Sequence, residues 1–226
     1  YNMTLNMDWT QIDTVMFDMD GTLLDLAFDN FFWREAVIDA WADAQQITRD
    51  YAIEKLTPLF RAQEGGLNWY SLPYWSDTLQ LDLQALKAHH SDLISLRAGV
   101  PALLNTLQSH GKKLWLVTNA HPQALEIKLN KTGLGDFFTT IISSHEYGFA
   151  KEQINFWCEM QETNPFTPSR CLMIDDSEPV LHAAQAFGLH VLGIDQPDSQ
   201  LPAREDLYHP TLSDWSELVY GLEILG

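Results

Sequence analysis

The run from Val15 to Asp25, VMFDMDGTLLD, restricts this chain more than any other stretch. Ile12, Val15, Met16 and Phe17 form a short apolar series that reads as a buried strand, and Gly21-Thr22 breaks it. Asp18 and Asp20 stand at i and i+2, just where that strand ends. Side chains alternate faces only while a strand continues, so a turn at the glycine lets both carboxylates reach one pocket. Two acids held close repel each other and need a cation, a proton or hydrogen bonds to be tolerated. Magnesium suits them, because it takes hard oxygen ligands and leaves room for a substrate phosphate. An ordinary strand-to-turn segment is also rich in Asp and Gly. The complete DMDGT run after an apolar strand is what favours the metal reading.

Composition narrows the setting. A chain of 226 residues with 46% hydrophobic content can bury a substantial core, as one large domain or as a core with a smaller insert. Its formal charge of −18 repels nucleic-acid backbones and anionic membranes, so neither is expected as a partner. A small phosphorylated substrate stays compatible, since a bound metal and a few basic residues reverse the field locally. The longest apolar runs are too short to cross a bilayer, and the first residues lack a basic segment followed by an apolar one. The chain opens on Tyr1-Asn2 rather than methionine, which reads as a processing remnant. Two cysteines, Cys158 and Cys171, make no disulfide framework, so a reducing, cytoplasmic location is expected.

Beyond Asp25 the pattern changes. From about Phe28 to His90 it is helical and rich in aromatics, with Phe32, Ala36, Val37 and Ala40 at helical spacing and Gly65-Gly66 and Pro73 as punctuation. From about Arg97 strand and helix alternate. Helices are expected at Pro101–Gln108, Pro122–Lys131, Lys151–Gln161 and Pro179–Phe187, and strands at Leu114–Val117, Phe137–Ile142, Cys171–Ile174 and His190–Ile194. This order predicts an α/β fold: a Rossmann-like three-layer sandwich around a parallel sheet, with a small helical domain inserted after the first strand. The catalytic core would comprise residues 1–25 and 95–226, and the insert residues 26–94. In such sheets the site lies beyond the carboxyl ends of the strands. Asp18, Thr118 and Asp175 all fall there.

Three further segments supply chemistry. Thr118-Asn119, after a strand and before a helix, offers a hydroxyl and backbone N–H groups to a phosphate. Lys151 is expected at a helix start, where the dipole favours anions; its charge there offsets clustered carboxylates and a phosphate. Asp175-Asp176-Ser177 adds two acids after an apolar strand, with Asp176 or Ser177 as a candidate helix cap. Together these groups outline a metal-plus-phosphate site.

DMDGT, LVTNA, Lys151 and IDDS, in this order, resemble the motifs of the haloacid dehalogenase superfamily, over nearly the whole chain. The helical insert resembles that superfamily's cap. DMDGTLLDLAFDNFFW, LNWYSLPYW, VTNAHP and IDDSEPVLHAAQAFG look more specifically like the GMP/IMP 5′-nucleotidase branch. The resemblance implies Asp18 as nucleophile and Asp20 as general acid and base. Thr118 and the Asn119 amide would hold the phosphoryl group, and Lys151 would balance charge. Magnesium would be bound by Asp176, the Asp18 carboxylate and the Asp20 carbonyl. Asp175 would bind beside them, or stand behind and pair with Lys151. Two positions depart from the pattern: Glu152 stands where many relatives carry Pro, and Val180 where many carry Asn or Asp. Glu178 or a water is expected to compensate for the latter.

The implied reaction is hydrolysis of a phosphomonoester through an aspartyl-phosphate, the substrate being a purine nucleotide monophosphate. Superfamily dehalogenases lack an acid at the position of Asp20, which excludes dehalogenation. Cap aromatics are expected to stack on the purine, with Arg34 and Asn30 at its polar edges, although most of the aromatics pack the insert itself. His121 is expected only to cap the helix before Pro122. Two alternatives stand: a phosphatase or mutase for small sugar phosphates or phosphoglycolate, and a non-hydrolytic phosphate-responsive module.

Overall fold

In the computed structural model, which describes residues 7–223, six strands form one parallel sheet. They are β1 (Thr14–Phe17), β2 (Lys113–Thr118), β3 (Thr140–Ser143), β4 (Cys171–Asp175), β5 (His190–Ile194) and β6 (Thr211–Leu212), in the spatial order β3-β2-β1-β4-β5-β6. The Tyr1-Asn2 start lies outside the described residues. The chain lays strands to one side of β1 first and then to the other, so a topological switch falls between β1 and β4. That is where open α/β sheets bind ligands.

Alternation of side chains sorts the core into two layers. Val15, Phe17, Leu114, Leu116, Leu172 and Ile174 join one apolar cluster, while Met16, Trp115, Val117, Cys171 and Met173 join the other. The first face is covered by α6 (Val100–Ser109), α7 (Pro122–Thr132) and α10 (Trp215–Glu223), and the second by α8 (Ile154–Thr163) and α9 (Glu178–Phe187). Burial on both faces explains the unbroken apolar runs of β1 and β4. The expected three-layer sandwich is present.

Between β1 and β2 lies the helical insert: α1 (Ala27–Phe31), α2 (Val37–Gln45), α3 (Arg49–Arg61), α4 (Leu72–Leu79) and α5 (Leu83–His89). A π-helical turn, Phe32–Ala36, joins α1 to α2; such turns concentrate at functional sites. Thr48, Ser71 and Asp82 cap α3, α4 and α5 through their side chains. Trp33, Phe60 and Trp75 pack edge to face, with ring centres 4.8–6.4 Å apart. The insert's apolar residues continue the first core cluster rather than forming a separate one.

Three expectations need correction. Phe137 lies in a short 3-10 turn, Leu134–Phe137, and β3 begins only at Thr140. Helix α8 begins at Ile154, not at Lys151, because Asn119 Oδ1 takes the Lys151 N–H and holds that residue in a turn. Strand β6 and helix α10 were not anticipated from the chain after Ile194.

Phe17 is fully buried mid-sheet, edge-on to Phe138 and Trp215. Phe17→Ala should lower stability by about 3–5 kcal/mol, read as a lower urea midpoint at unchanged m-value.

Candidate active site

The carboxyl ends of β1, β2 and β4 end level. Phe17 pairs with Leu116 and with Ile174, and the Asp18 N–H extends the ladder to the Ile174 carbonyl at 2.9 Å. Asp18, Thr118 and Asp175 therefore meet at one edge, and the structure brings Lys151 to them from the turn before α8. The Lys151 ammonium, 1% exposed as a residue, donates to Asp18 Oδ1 (2.8 Å), Asp175 Oδ2 (2.6 Å) and the Val117 carbonyl (2.9 Å). Burial works against its charge, but the two carboxylates more than compensate and hold its pKa above the ordinary lysine value. Trp157 Nε1 fixes the same residue from the other side, donating to the Lys151 carbonyl at 2.9 Å.

Asp18 is held at both oxygens, since Thr22 Oγ1 donates to Oδ2 at 3.1 Å. Asp176 is the contrast. It is half-buried, lies beside Asp18 and Asp175, and its carboxylate has no hydrogen-bond or ion-pair partner among the described residues. Burial first, and then the Asp18 and Asp175 charges, push its pKa well up. Asp18, Asp175 and Asp176 each offer an oxygen within 4.8 Å of the others. Ser177 stands at the N-cap position of α9, as one of the two expected candidates, but its side chain makes no cap bond; Asp175 Oδ1 accepts from the Ser177 N–H at 2.9 Å in the turn before the helix.

Asp20 reaches a second ammonium. Lys128, 1% exposed on α7, bonds Asp20 Oδ1 at 2.6 Å and Asp29 Oδ2 at 2.5 Å, and Lys87 bonds Asp29 Oδ1 at 2.8 Å. Burial, with the Asp29 charge second, raises Asp20 to about 7 in spite of Lys128. Lys128, Lys87 and Asp29 were missed in the sequence. The available signal was a charge on an apolar helix stripe: Lys128 follows Ala124 and Lys87 follows Leu83 at i+4, all four buried. Asp18, Asp20, Asp29, Asp175 and Asp176 face three ammoniums and, beside Asp176, the Arg204 guanidinium, an excess of one negative charge at full ionisation. An all-oxygen set with that excess fits a hard divalent cation.

The Thr118-Asn119 loop, expected to receive a phosphate, is equally constrained. Thr118 Oγ1 accepts from the Ala120 N–H at 3.0 Å, Asn119 Oδ1 accepts from the Lys151 N–H at 2.9 Å, and His145 Nε2 lies 3.1 Å from the Asn119 carbonyl. Burial takes His145 down to about 4, so the ring is neutral at pH 7. His121 caps α7, as expected, with Nδ1 accepting from the Gln123 N–H at 3.2 Å. Glu178 does not join the carboxylates. It is paired with His209 at 2.5 Å, and Val180 lines the cavity.

That cavity, about 560 Å³, runs from Asp18, Asp20, Thr118, Lys151 and Asp176 to the insert. Two stretches of the insert line its far end: Asn30, Trp33 and Arg34 from one, and Thr57, Phe60 and Arg61 of α3 with Glu64 of the turn after it from the other. The side chains of Arg34, Arg61 and Glu64 make no hydrogen bond or ion pair among the described residues, whereas Asn30 donates to Asp198 at 2.6 Å and is committed.

This arrangement belongs to a class of enzyme. The family described as haloacid dehalogenase-like hydrolase matches residues 12–188. The GMP/IMP nucleotidase YrfG of Escherichia coli K12 is 39% identical over 221 residues, which cover 97% of this chain and all of that protein. Pyrimidine 5′-nucleotidase YjjG of the same organism is 27% identical, covering 76% of this chain and 79% of its own length. A solved phosphatase from Thermococcus onnurineus superposes with a TM-score of 0.77 at 21% identity, covering 95% of this chain and 98% of that one. The chain belongs to the haloacid dehalogenase-like hydrolases. Within them it is a phosphomonoester hydrolase resembling the GMP/IMP nucleotidase branch, which sets aside the non-hydrolytic alternative. No helix among the described residues is long and apolar enough to cross a membrane.

Gly21 sits at φ +87°, and a Cβ there would lie 2.7 Å from Asp176 Oδ2. Gly21→Ala should therefore displace Asp176 and lower phosphatase kcat/KM at least about tenfold, a loss of about 1.4 kcal/mol, and raise the concentration of any divalent cation needed for half-maximal rate. Steady-state rates across a magnesium series check this.

Proposed function

We propose that this hydrolase is a magnesium-dependent 5′-nucleotidase that cleaves purine monophosphates, GMP and IMP before others, through an aspartyl-phosphate on Asp18. The observation that carries the reading is one cavity with Asp18 and Lys151 at one end and an aromatic wall with unpaired guanidiniums at the other.

Asp18 attacks phosphorus, and the bond from phosphorus to the 5′-oxygen breaks. Asp20 gives its proton to that oxygen. Asp20 then takes a proton from water as the water attacks the same phosphorus, releasing phosphate and restoring Asp18. Lys151 offsets the charge gathered on Asp18 and the phosphoryl oxygens, and the Thr118 hydroxyl and Asn119 N–H hold those oxygens. Magnesium, bound by Asp18, Asp176 and the Asp20 carbonyl with Asp175 behind them, would neutralise phosphate charge. Asp20 near 7 suits a group that gives and takes one proton per turnover.

Residues 26–94 act as a cap on the core of 1–25 and 95–226, and the cap end of the cavity takes the base. Guanidiniums donate only, so Arg34 and Arg61 match O6 and N7 of a 6-oxopurine. The Glu64 carboxylate accepts only, and matches N1–H and the guanine amine. Adenine presents the opposite pattern at positions 1 and 6. Trp33 and Phe60 offer faces for stacking. The nucleotidase relative supports this substrate class. The unpaired Cys158 and Cys171 suit a reducing compartment, and we place the activity in the cytoplasm.

With magnesium, kcat/KM for GMP and IMP should exceed that for AMP and ribose 5-phosphate by about tenfold or more, a single well-formed base contact being worth about 1–3 kcal/mol. EDTA or Asp18→Asn should abolish turnover. Faster cleavage of ribose 5-phosphate or phosphoglycolate would defeat the nucleotide assignment. The pH profile adds a further check. Because the first step needs protonated Asp20, kcat/KM should fall above an apparent pKa near 7; a flat profile from pH 6 to 9 would contradict that role.

A further inference from the structure

Glu152 stands where the family pattern commonly has proline, and the reaction as written gives it no task. Its position is specific. Oε1 accepts from the Tyr70 hydroxyl at 2.5 Å and Oε2 accepts from Asn119 Nδ2 at 2.9 Å. Tyr70 belongs to the insert, in the turn Leu67–Tyr70 before α4, whereas Asn119 is the phosphate loop and Glu152 follows Lys151. One carboxylate therefore joins the cap to the loop that receives the phosphoryl group. Asn119 has its orientation defined by both ends of its amide, since Oδ1 takes the Lys151 N–H at 2.9 Å.

The other polar links between insert and core near the site lie close to the chain crossing. Asp29 and Asn30, which meet Lys128 and Asp198, come a few residues after Asp25. Tyr70 lies in the middle of the insert sequence. Among the described residues, its link to Glu152 joins the body of the insert to the loop of Asn119. A proline at 152 could not make it.

Charge adds a second consequence. A carboxylate beside a loop that binds a phosphate dianion repels the ligand unless donors draw its charge away. With Tyr70 in place, Glu152 has a donor on each oxygen. Burial, with the Glu152 charge second, raises the Tyr70 pKa, so the phenol stays a donor. If the insert lifts, Glu152 keeps only Asn119.

We infer that Glu152 is a positioning residue that couples seating of the cap, through Tyr70, to the phosphate-binding geometry of Asn119 and Lys151. It acts through these neighbours and does not touch the reacting atoms. The inference needs only phosphomonoester hydrolysis and not the purine assignment.

A double-mutant cycle tests it, using the full chain with magnesium and both p-nitrophenyl phosphate and GMP. Tyr70→Phe and Glu152→Ala should each lower kcat/KM about tenfold, as loss of a hydrogen bond to a charged group does, and weaken inhibition by inorganic phosphate. The double variant should lose little more than the worse single variant. Glu152→Gln should recover most of the rate, because its carbonyl accepts from Asn119 while its amide donates to the Tyr70 oxygen; a merely structural role would not give that recovery. If Glu152→Ala does not fold, Tyr70→Phe with Glu152→Gln forms a second cycle. Its double variant should do worse than Glu152→Gln alone, since the amide then loses its partner. A Tyr70→Phe enzyme at the wild-type rate overturns the inference. So does a double variant whose loss is closer to the product of the single losses than to the larger one. If GMP is a poor substrate while p-nitrophenyl phosphate follows the cycle, the purine reading fails and this one stands.

Discussion

The buried Lys151 ammonium is the interaction on which the rest of the site depends. It holds the ends of three adjacent strands: Asp18 beyond β1, the Val117 carbonyl in β2 and Asp175 in β4. Removing water from two carboxylates and an ammonium is costly, and mutual attraction offsets that cost only when every donor is used. Here all three ammonium donors are. Breaking such a group leaves a buried charge unpaired, at a cost of about 3–5 kcal/mol. Stability therefore constrains this residue, and the turn before α8 is shaped around it by Asn119 and Trp157.

The site has a division of labour set by its surroundings. Asp18 has a donor on each oxygen, while Asp20 is placed against a different cation and has its pKa raised by burial. Lys128 and Asp29 connect Asp20 to the insert, and Tyr70 and Glu152 connect the insert to the phosphate loop. The insert is thus bonded to the surroundings of both Asp20 and Asn119 as well as lining the cavity.

Much of this was legible in the chain because the apolar runs of β1, β2 and β4 all end on polar residues. The sheet alternation and the level strand ends then bring Asp18, Thr118 and Asp175 together. Lys151 was legible as a motif, but its helix assignment was not, because a side-chain bond from Asn119 overrides local propensity there. Lys87 and Lys128 look like interruptions of an apolar stripe, and only three-dimensional pairing with Asp29 and Asp20 makes sense of them. Strand β6 has two residues, too few for any periodicity to show. Glu152 could be noticed as a departure from the pattern, but its partner Tyr70 is far away in the chain. Glu178 looked able to serve the cation site, yet it is paired with His209 instead.

The account's central claim is that Asp18 carries the phosphoryl group between the two steps. The most direct measurement is rapid acid quench of the enzyme during turnover of a radiolabelled phosphomonoester, followed by proteolysis and mapping of the label. The account predicts acid-stable, base-labile label on the peptide that contains Asp18, formed within one turnover and chased by unlabelled substrate. Label on another residue, or turnover in which no labelled enzyme forms at any time and solvent oxygen appears in the phosphate in a single direct displacement, would contradict it.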